Sequence, residues 1–335
     1  MVTAILFDVI GPIVVMIAVG ALLRRSFELD MGTLSKLNIY FAVPAFIFSK
    51  VAYSSLPFSD MGGIVAITAI QMTTLGLLVY YAGRLFGVGP HTLGAIVMAV
   101  IFYNSGNYGL PLAELAYPAS KSAAGGARSG AAVQAFVVMT QNLLSWTAGL
   151  AIAASVHAGF KWSNFKRVFR LPMIPAMIAG VVCKLWLAGD PSRALPAIIA
   201  KPAQYVTDAY IPLALLTLGA QLATNPRWPR WKPVSVVLIV RLLFGPIQMG
   251  AILFGLHLLG WGPLDLWGSR GWPAELLILT AAVPTAITTL LLTLELGGDV
   301  ELAADCVFWT TICSCVSIPM WLYVIWWFFG TGPVH

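Results

Sequence analysis

Stretches of about 20 mostly apolar residues recur along this 335-residue chain. Each is long enough to cross the hydrocarbon core of a bilayer as a helix. In lipid the backbone must satisfy its own hydrogen bonds, so only helices and closed barrels can span. A barrel needs alternating strands of about ten residues, and no such period of two occurs. Only 10% of the residues are charged, against roughly 25% in a soluble domain, which is too few to coat a water-facing surface. The fold class predicted is an all-α membrane protein. Ten transmembrane helices are expected at about 4–24, 34–54, 62–86, 92–117, 130–156, 172–189, 203–224, 233–260, 272–297 and 300–329.

The loop charges orient these spans. With the N-terminus outside, the inside loops hold Arg24, Arg25, Lys36, Arg84, Lys161, Lys166, Arg167, Arg170, Arg227, Arg230 and Lys232. The outside loops hold Lys50, Lys121, Arg128, Arg193, Lys201 and Arg270. Eleven against six favours both termini outside. The net charge of +6 is then a topology signal, and no nucleic-acid partner is expected. The first span is followed, not preceded, by its arginine pair, so it reads as a membrane helix rather than a cleaved signal. Cys183, Cys306, Cys313 and Cys315 all fall in apolar stretches without His or acidic partners at ligand spacing. They read as small buried residues, and neither a metal nor another cofactor is expected. Short loops leave no room for a soluble catalytic domain. No paired acids, His-rich motif or Ser–His arrangement occurs at depth, so an enzyme is not expected.

Five spans (residues 1–160) precede a basic cytoplasmic connector at 161–171, and five (172–335) follow it. An odd number per half inverts the second copy. Pro44 and Pro111 lie in spans two and four, 67 residues apart, and Pro212 and Pro284 in spans seven and nine, 72 apart. Two inverted five-helix repeats are therefore expected, an arrangement typical of secondary transporters.

Spans four and nine carry the polar residues. Span four contains Asn104, Ser105, Gly106, Asn107, Tyr108, Gly109 and Pro111; span nine contains Pro284, Thr285, Thr288 and Thr289. Proline removes a backbone donor and glycine lowers the cost of non-helical angles. Two broken helices at mid-depth would expose half-helix N-termini, each equivalent to roughly half a positive charge, and such ends hold anions. Gln141 and Asn142 on span five are expected in the same pocket. Intramembrane charge is costly and usually functional. Arg241 and Asp305 lie at similar depths and are expected to pair, with Glu295 as the alternative partner. The pair serves either proton coupling and gating or a static role. Asp208 precedes Pro212 and joins the coupling candidates, whereas Lys184, Glu114 and Glu275 sit toward span ends and are read as snorkelling. Sodium coupling through Ser105, Thr288, Thr311 and carbonyl oxygens is the alternative to proton coupling.

The chain resembles the auxin efflux carrier family of membrane transporters. The resemblance rests on Gly11-Pro12 through Arg24-Arg25, Leu37-Asn38 through Pro44-Ala45, Asn104 through Gly109-Leu110-Pro111-Leu112, and Gln141-Asn142-Leu143-Leu144. It continues with Pro212 through Gly219-Ala220-Gln221-Leu222, Pro284-Thr285, Glu295, and Thr310-Thr311 through Ser314 and Pro319. It implies crossing broken helices in spans four and nine, a scaffold of spans one, two, six and seven, and a transport domain of the other six moving as an elevator. It also implies that Asn104 holds a substrate carboxylate. Tyr103 stands where plant members have Pro, and Met173 where they have a polar residue. The expectation is a carrier in the bacterial inner membrane for a small organic anion, an auxin-like aromatic acid or a dicarboxylate. A homodimer through the scaffold spans is the candidate assembly. A sodium-coupled symporter of the bile-acid type is the alternative.

Overall fold

The computed structural model describes residues 1–118, 120–121, 127–154, 172–188, 194–223, 228–267, 272–295 and 298–331. The expected connector at 161–171 lies outside them. The described residues are helical apart from one short ribbon. In chain order they form α1 (Val2–Ser26), α2 (Met31–Ala52), α3 (Phe58–Leu85), α4 (Pro90–Ile101) and α5 (Leu110–Ala116). The ribbon pairs β1 (Ser120–Lys121) with β2 (Ala127–Arg128). Then come α6 (Gly130–Ala154), α7 (Met173–Ala188) and α8 (Ala197–Leu222). The last four are α9 (Trp231–Leu258), α10 (Trp272–Ala281), α11 (Ile287–Glu295) and α12 (Val300–Phe329). By length and composition α1, α2, α3, α9 and α12 can each cross a membrane. Large apolar side chains such as Phe7, Leu22, Tyr81, Trp186, Val316 and Trp327 lie exposed on the outer surface. In water such a surface would drive association, but against lipid tails it carries no penalty.

Proline shapes these helices in a repeated way. Pro12, Pro44, Pro111 and Pro246 each follow directly on a π-helical turn, at Ile5–Ile10, Asn38–Ala42, Ser105–Gly109 and Val240–Phe244. A proline ring clashes with the carbonyl four residues back, and the wider π turn moves that carbonyl aside. Pro111 was expected to break span four and does not. It stands at the start of α5, two residues after the π turn at Ser105–Gly109, whose wider path accommodates the ring. The break comes earlier, at Phe102, Tyr103 and Asn104. Three of these turns carry Asn38, Ser105 to Asn107, and Arg241, which all reappear at the site described below.

Two groups of helices pack within themselves. In one, α1 lies along α8, and α2 along α7 and α8. In the other, α3 packs on α4 and α6, α9 on α10 and α12, and α12 on α10 and α11. The α1–α8 contact is backbone against backbone. A Cβ on Gly20 would sit 2.1 Å from the Leu216 carbonyl oxygen, and one on Gly219 would sit 1.9 Å from that of Ile17. Close approach at small residues is how helices gain packing energy where lipid removes the hydrophobic drive. Asn38 on α2 adds a polar tie by donating from Nδ2 to Thr217 Oγ1 on α8 at 2.8 Å. Of the four cysteines only Cys306 is buried. Cys183 and Cys313 are half-buried and Cys315 is exposed, so burial was the wrong expectation for those three.

The ends of α9 and α12 are tied outside the spans. Arg230 meets Asp299 through two hydrogen bonds, of 2.6 and 3.0 Å, while Asp299 also accepts from Leu302 N as the cap of α12. These bonds, the guanidinium first, hold the Asp299 carboxyl below its ordinary range.

Two predictions follow from this packing. Gly219→Leu drives a side chain into the Ile17 carbonyl and lowers stability by about 3 kcal/mol or more, read as a large fall in the thermal midpoint of the detergent-purified protein. A depressed carboxyl contributes stability above its unfolded pKa and loses it as pH falls through the folded value. Asp299→Asn therefore costs at most about 1 kcal/mol at pH 7, because Arg230 is half exposed. The difference between variant and parent shrinks steadily below about pH 4.

Candidate functional site

The two interrupted segments cross at their interruptions. Tyr103 and Thr285 form an isolated antiparallel bridge. Asn104 N donates to Pro284 O at 2.7 Å, and Ala286 N to Phe102 O at 2.8 Å. Backbone groups freed by each break are thus taken by the other, as an apolar surrounding demands. Neighbouring side chains take most of the rest. Thr285 N donates to Thr310 Oγ1 at 3.0 Å, and Thr285 Oγ1 to Ala99 O at 2.8 Å. Gln134 on α6 donates to Ser105 O at 3.0 Å and accepts from Thr280 Oγ1 at 2.6 Å, so one amide spans both broken segments. Gln141 Nε2 donates to Tyr103 O.

Arg241 on α9 completes the crossing. It is fully buried. Its guanidinium donates to Ala281 O at 2.6 Å, Val283 O at 2.9 Å, Val100 O at 3.0 Å and Thr280 O at 3.5 Å. These are the terminal carbonyls of α4 and α10, whose last groups have no helical partner. The guanidinium carbon also lies 4.2 Å from the Tyr103 ring centroid, a cation–π contact. The expected pairing of Arg241 with Asp305 is therefore corrected: a five-donor fork here serves two helix ends. Asp305 is buried near Arg230, whose backbone N lies 3.5 Å from Oδ2. Asp208 is exposed on α8. Glu295 is the last residue of α11, with its side chain outside the described set.

Beside the crossing lies a cavity of about 210 Å³. One wall is Tyr103, Asn104, Ser105, Gly106 and Asn107, facing Ala286, Ile287 and Thr288. Ser105 to Asn107 open the π turn that runs into α5, and Ile287 and Thr288 open α11. The N–H groups of Asn104, Ser105 and Ala286 are taken by carbonyls, which leaves those of the residues just after them at the helix starts. α6 supplies Val138, Gln141, Asn142 and Ser145. The opposite wall is Ser35, Asn38, Ile39 and Val43 of α2, Met173 of α7 and Gln221 of α8. No Asp, Glu, Lys, Arg or His is among the lining residues. Asn104 is 6% exposed, and its Nδ2 has no hydrogen-bond partner. A buried amide donor left unmatched costs about 1–3 kcal/mol.

Of the residues singled out from sequence, Asn104, Ser105, Asn107, Gln141, Asn142 and Thr288 line the cavity. Tyr108, Gly109, Pro111, Pro284 and Thr285 do not line it and instead build its support. Tyr108 meets Ser314 Oγ at 3.2 Å, Gly109 packs on Gln134, and Pro284 and Thr285 make the crossing. Sequence reasoning missed Ser35, Ser145 and Gln134. Asn38 and Gln221 stood in the quoted motifs without being assigned to the site. Met173, noted as an apolar departure, lies in the wall.

Comparison with known proteins agrees with this architecture. A family described as membrane transport protein matches residues 5–322. An uncharacterized transporter of Methanothermobacter thermautotrophicus is 28% identical over 89% of this chain and 90% of its own length. An uncharacterized transporter of Methanocaldococcus jannaschii is 23% identical over 87% of this chain and 89% of its own. A Rhizobium meliloti protein named "Putative malonate transporter" is 23% identical over 88% of this chain and 87% of its own.

Gln134→Leu keeps the volume of the side chain but strands Ser105 O and the Thr280 hydroxyl. It lowers stability by about 1–3 kcal/mol. Combined with Thr280→Val the loss is less than additive, because the two share a bond. Thermal unfolding of both single variants and the double variant reads this coupling.

Proposed function

The chain belongs to the membrane transport protein family, that of the auxin efflux carriers, and from this multi-pass membership we propose that it is a secondary carrier of a small organic anion. One observation carries the proposal. Asn104, whose buried Nδ2 has no partner, lines a cavity walled by the starts of two helices, with no acidic side chain among the described lining residues. Helix N-termini and neutral amide donors suit a carboxylate. An acid among the lining residues would repel one. The apolar patches of Ile39, Val43, Val138, Met173 and Ile287 would take the remainder of the solute. The name of the Rhizobium meliloti relative favours a dicarboxylate. An auxin-like aromatic acid is the other candidate.

Movement by alternating access fits the same geometry. The cavity lies between the two packed groups of helices, which we take as scaffold (α1, α2, α7, α8) and transport domain (α3 to α6 and α9 to α12). In chain order the two domains draw on equivalent parts of two inverted five-helix repeats. The breaks in the fourth and ninth segments support that symmetry. Beyond the cavity, Phe46 of α2 and Tyr210 of α8 pack as tilted rings with centroids 4.6 Å apart, and Tyr210 donates to Gly106 O at 3.1 Å. Further along α2, Lys50 pairs with Glu114 of α5 across the two groups. The partly exposed Ser35 and Gln221 lie at the other end. The positive-inside count assigns that end to the cytoplasm, so the cavity faces inward in this state. The outer side is held shut by the packed rings and the ion pair.

Asn104→Ala removes the donor and is expected to abolish saturable uptake or efflux in proteoliposomes while leaving the thermal midpoint nearly unchanged. Ligand-induced thermal shifts with malonate and with indole-3-acetate, each with and without sodium and across pH, identify the substrate class and the coupling ion. Wild-type transport by Asn104→Ala would remove this residue from the site.

A further inference from the structure

We propose that Arg241 sets the charge preference of the cavity, neutralising the negative ends of α4 and α10 so that the positive helix ends facing the cavity stand unopposed. Each helix end is equivalent to roughly half an elementary charge. Four ends meet at the crossing. The two N-terminal ends together make about one positive charge at the cavity wall, and the two C-terminal ends about one negative charge behind it. Alone they would nearly cancel at any distance larger than their separation. Arg241 contacts only the negative side, through Val100 O, Ala281 O and their neighbours. The net charge of the assembly is then about plus one.

Nothing else among the described contacts offsets it. The partners of Arg241 are carbonyls and the Tyr103 ring, and no carboxylate among the described residues touches it. Tyr103 lines the cavity and its ring packs on the guanidinium, so the cation lies behind a lining residue. An independent observation marks the same wall as a place for an acceptor: the buried Asn104 Nδ2 without a partner. Arg241 is thus a positioning and selectivity residue that acts through the crossing without contacting the substrate. Every group that faces a bound anion is neutral, and the preference for charge comes from behind them.

The rival account is that Arg241 is a mechanical cap and no more. An electrostatic readout separates the two. In protein whose four native cysteines are replaced by alanine, Asn107→Cys puts a thiol in the cavity wall. Its modification rate is measured with an anionic and a cationic methanethiosulfonate of similar size. Both reagents form a disulfide with the same thiolate and release methanesulfinate, so thiol reactivity cancels in the rate ratio and the local potential remains. With Arg241 present the anionic-to-cationic ratio exceeds that of a free thiol. Arg241→Gln lowers it at least about tenfold, the scale for losing one charge at roughly 10 Å in a partly shielded interior. Arg241→Lys, which keeps the charge and loses the fork, holds the ratio within about threefold. A ratio unchanged by Arg241→Gln overturns the proposal, as does a parent ratio no higher than that of the free thiol. Should Arg241→Gln fail to fold, the parent and the Arg241→Lys protein decide: a folded lysine variant that loses the ratio overturns it, and one that keeps a raised ratio supports it. The inference rests on the cavity being the substrate site, yet its test needs no substrate. Absence of binding by malonate and indole-3-acetate would sink the carrier reading and leave the potential measurement standing.

Discussion

A helix broken inside a bilayer leaves backbone donors and acceptors that no water can reach, and the fold is organised around meeting that demand. Here two breaks meet it together. Each lends the other a hydrogen bond through Asn104 N and Ala286 N, and Arg241 takes carbonyls from both. An unsatisfied polar group in hydrocarbon costs several kcal/mol, so neither break is tenable without the other. This mutual dependence fixes α9 against α4 and α10, and it fixes the spacing of the two helix N-termini that wall the cavity. The site's geometry is therefore a by-product of backbone accounting.

The two faces of the cavity differ in how they are held. The crossing face is over-determined, since Gln134, Gln141, Thr285 and Arg241 all bond to it. The facing wall is one side of a compact four-helix unit, closed by the glycine contact of α1 with α8 and the Asn38–Thr217 bond. Between the faces the ties are sparser: the Tyr210 hydroxyl on Gly106 O, and Lys50 with Glu114. Rigid bodies with few polar ties between them are what relative sliding requires, because only those ties must be exchanged. Lys50 and Glu114 are only 17% and 19% exposed, so parting them costs more than parting a surface pair, but it is one tie against the many that hold the crossing.

Much of this was legible in the sequence, for a physical reason. Spanning helices announce themselves by apolar length, and a run such as 102–109, rich in Gly and Asn within an apolar segment, contradicts its surroundings. That contradiction located Asn104, Ser105 and Asn107 in the cavity. Pro284, expected in the site from its place inside an apolar span, lies at the crossing and not in the cavity lining. What stayed hidden were long-range contacts of side chains with backbone. Arg241 was visible as an intramembrane charge, but charge suggests a carboxylate partner, and nothing in a sequence marks a carbonyl as unpaired. Its partners lie 39 to 141 positions away. Gln134 gave no signal, since one amide in an apolar helix has many uses. Pro111 misled because proline was taken as the cause of the break. Here proline instead begins the helix that follows, and the π turn before it absorbs the clash.

Placing the cation behind the site rather than in it changes what translocation costs. Moving an isolated anion through a low-dielectric barrier is expensive, and a lysine or arginine in direct contact would repay that cost by binding the anion tightly and releasing it slowly. A fixed guanidinium behind a lining residue supplies the compensating charge without a charge-assisted hydrogen bond to break. If the crossing moves with its solute, a monovalent anion and Arg241 cross as a nearly neutral unit, whereas the empty crossing carries about one positive charge. A dicarboxylate would instead leave the loaded unit about one charge negative. The membrane potential then acts on the empty step alone in the first case, and on both steps with opposite sign in the second. On the proposed reading, the valence of the preferred solute and the voltage dependence of transport are one property of the crossing, set by a side chain that the solute does not touch.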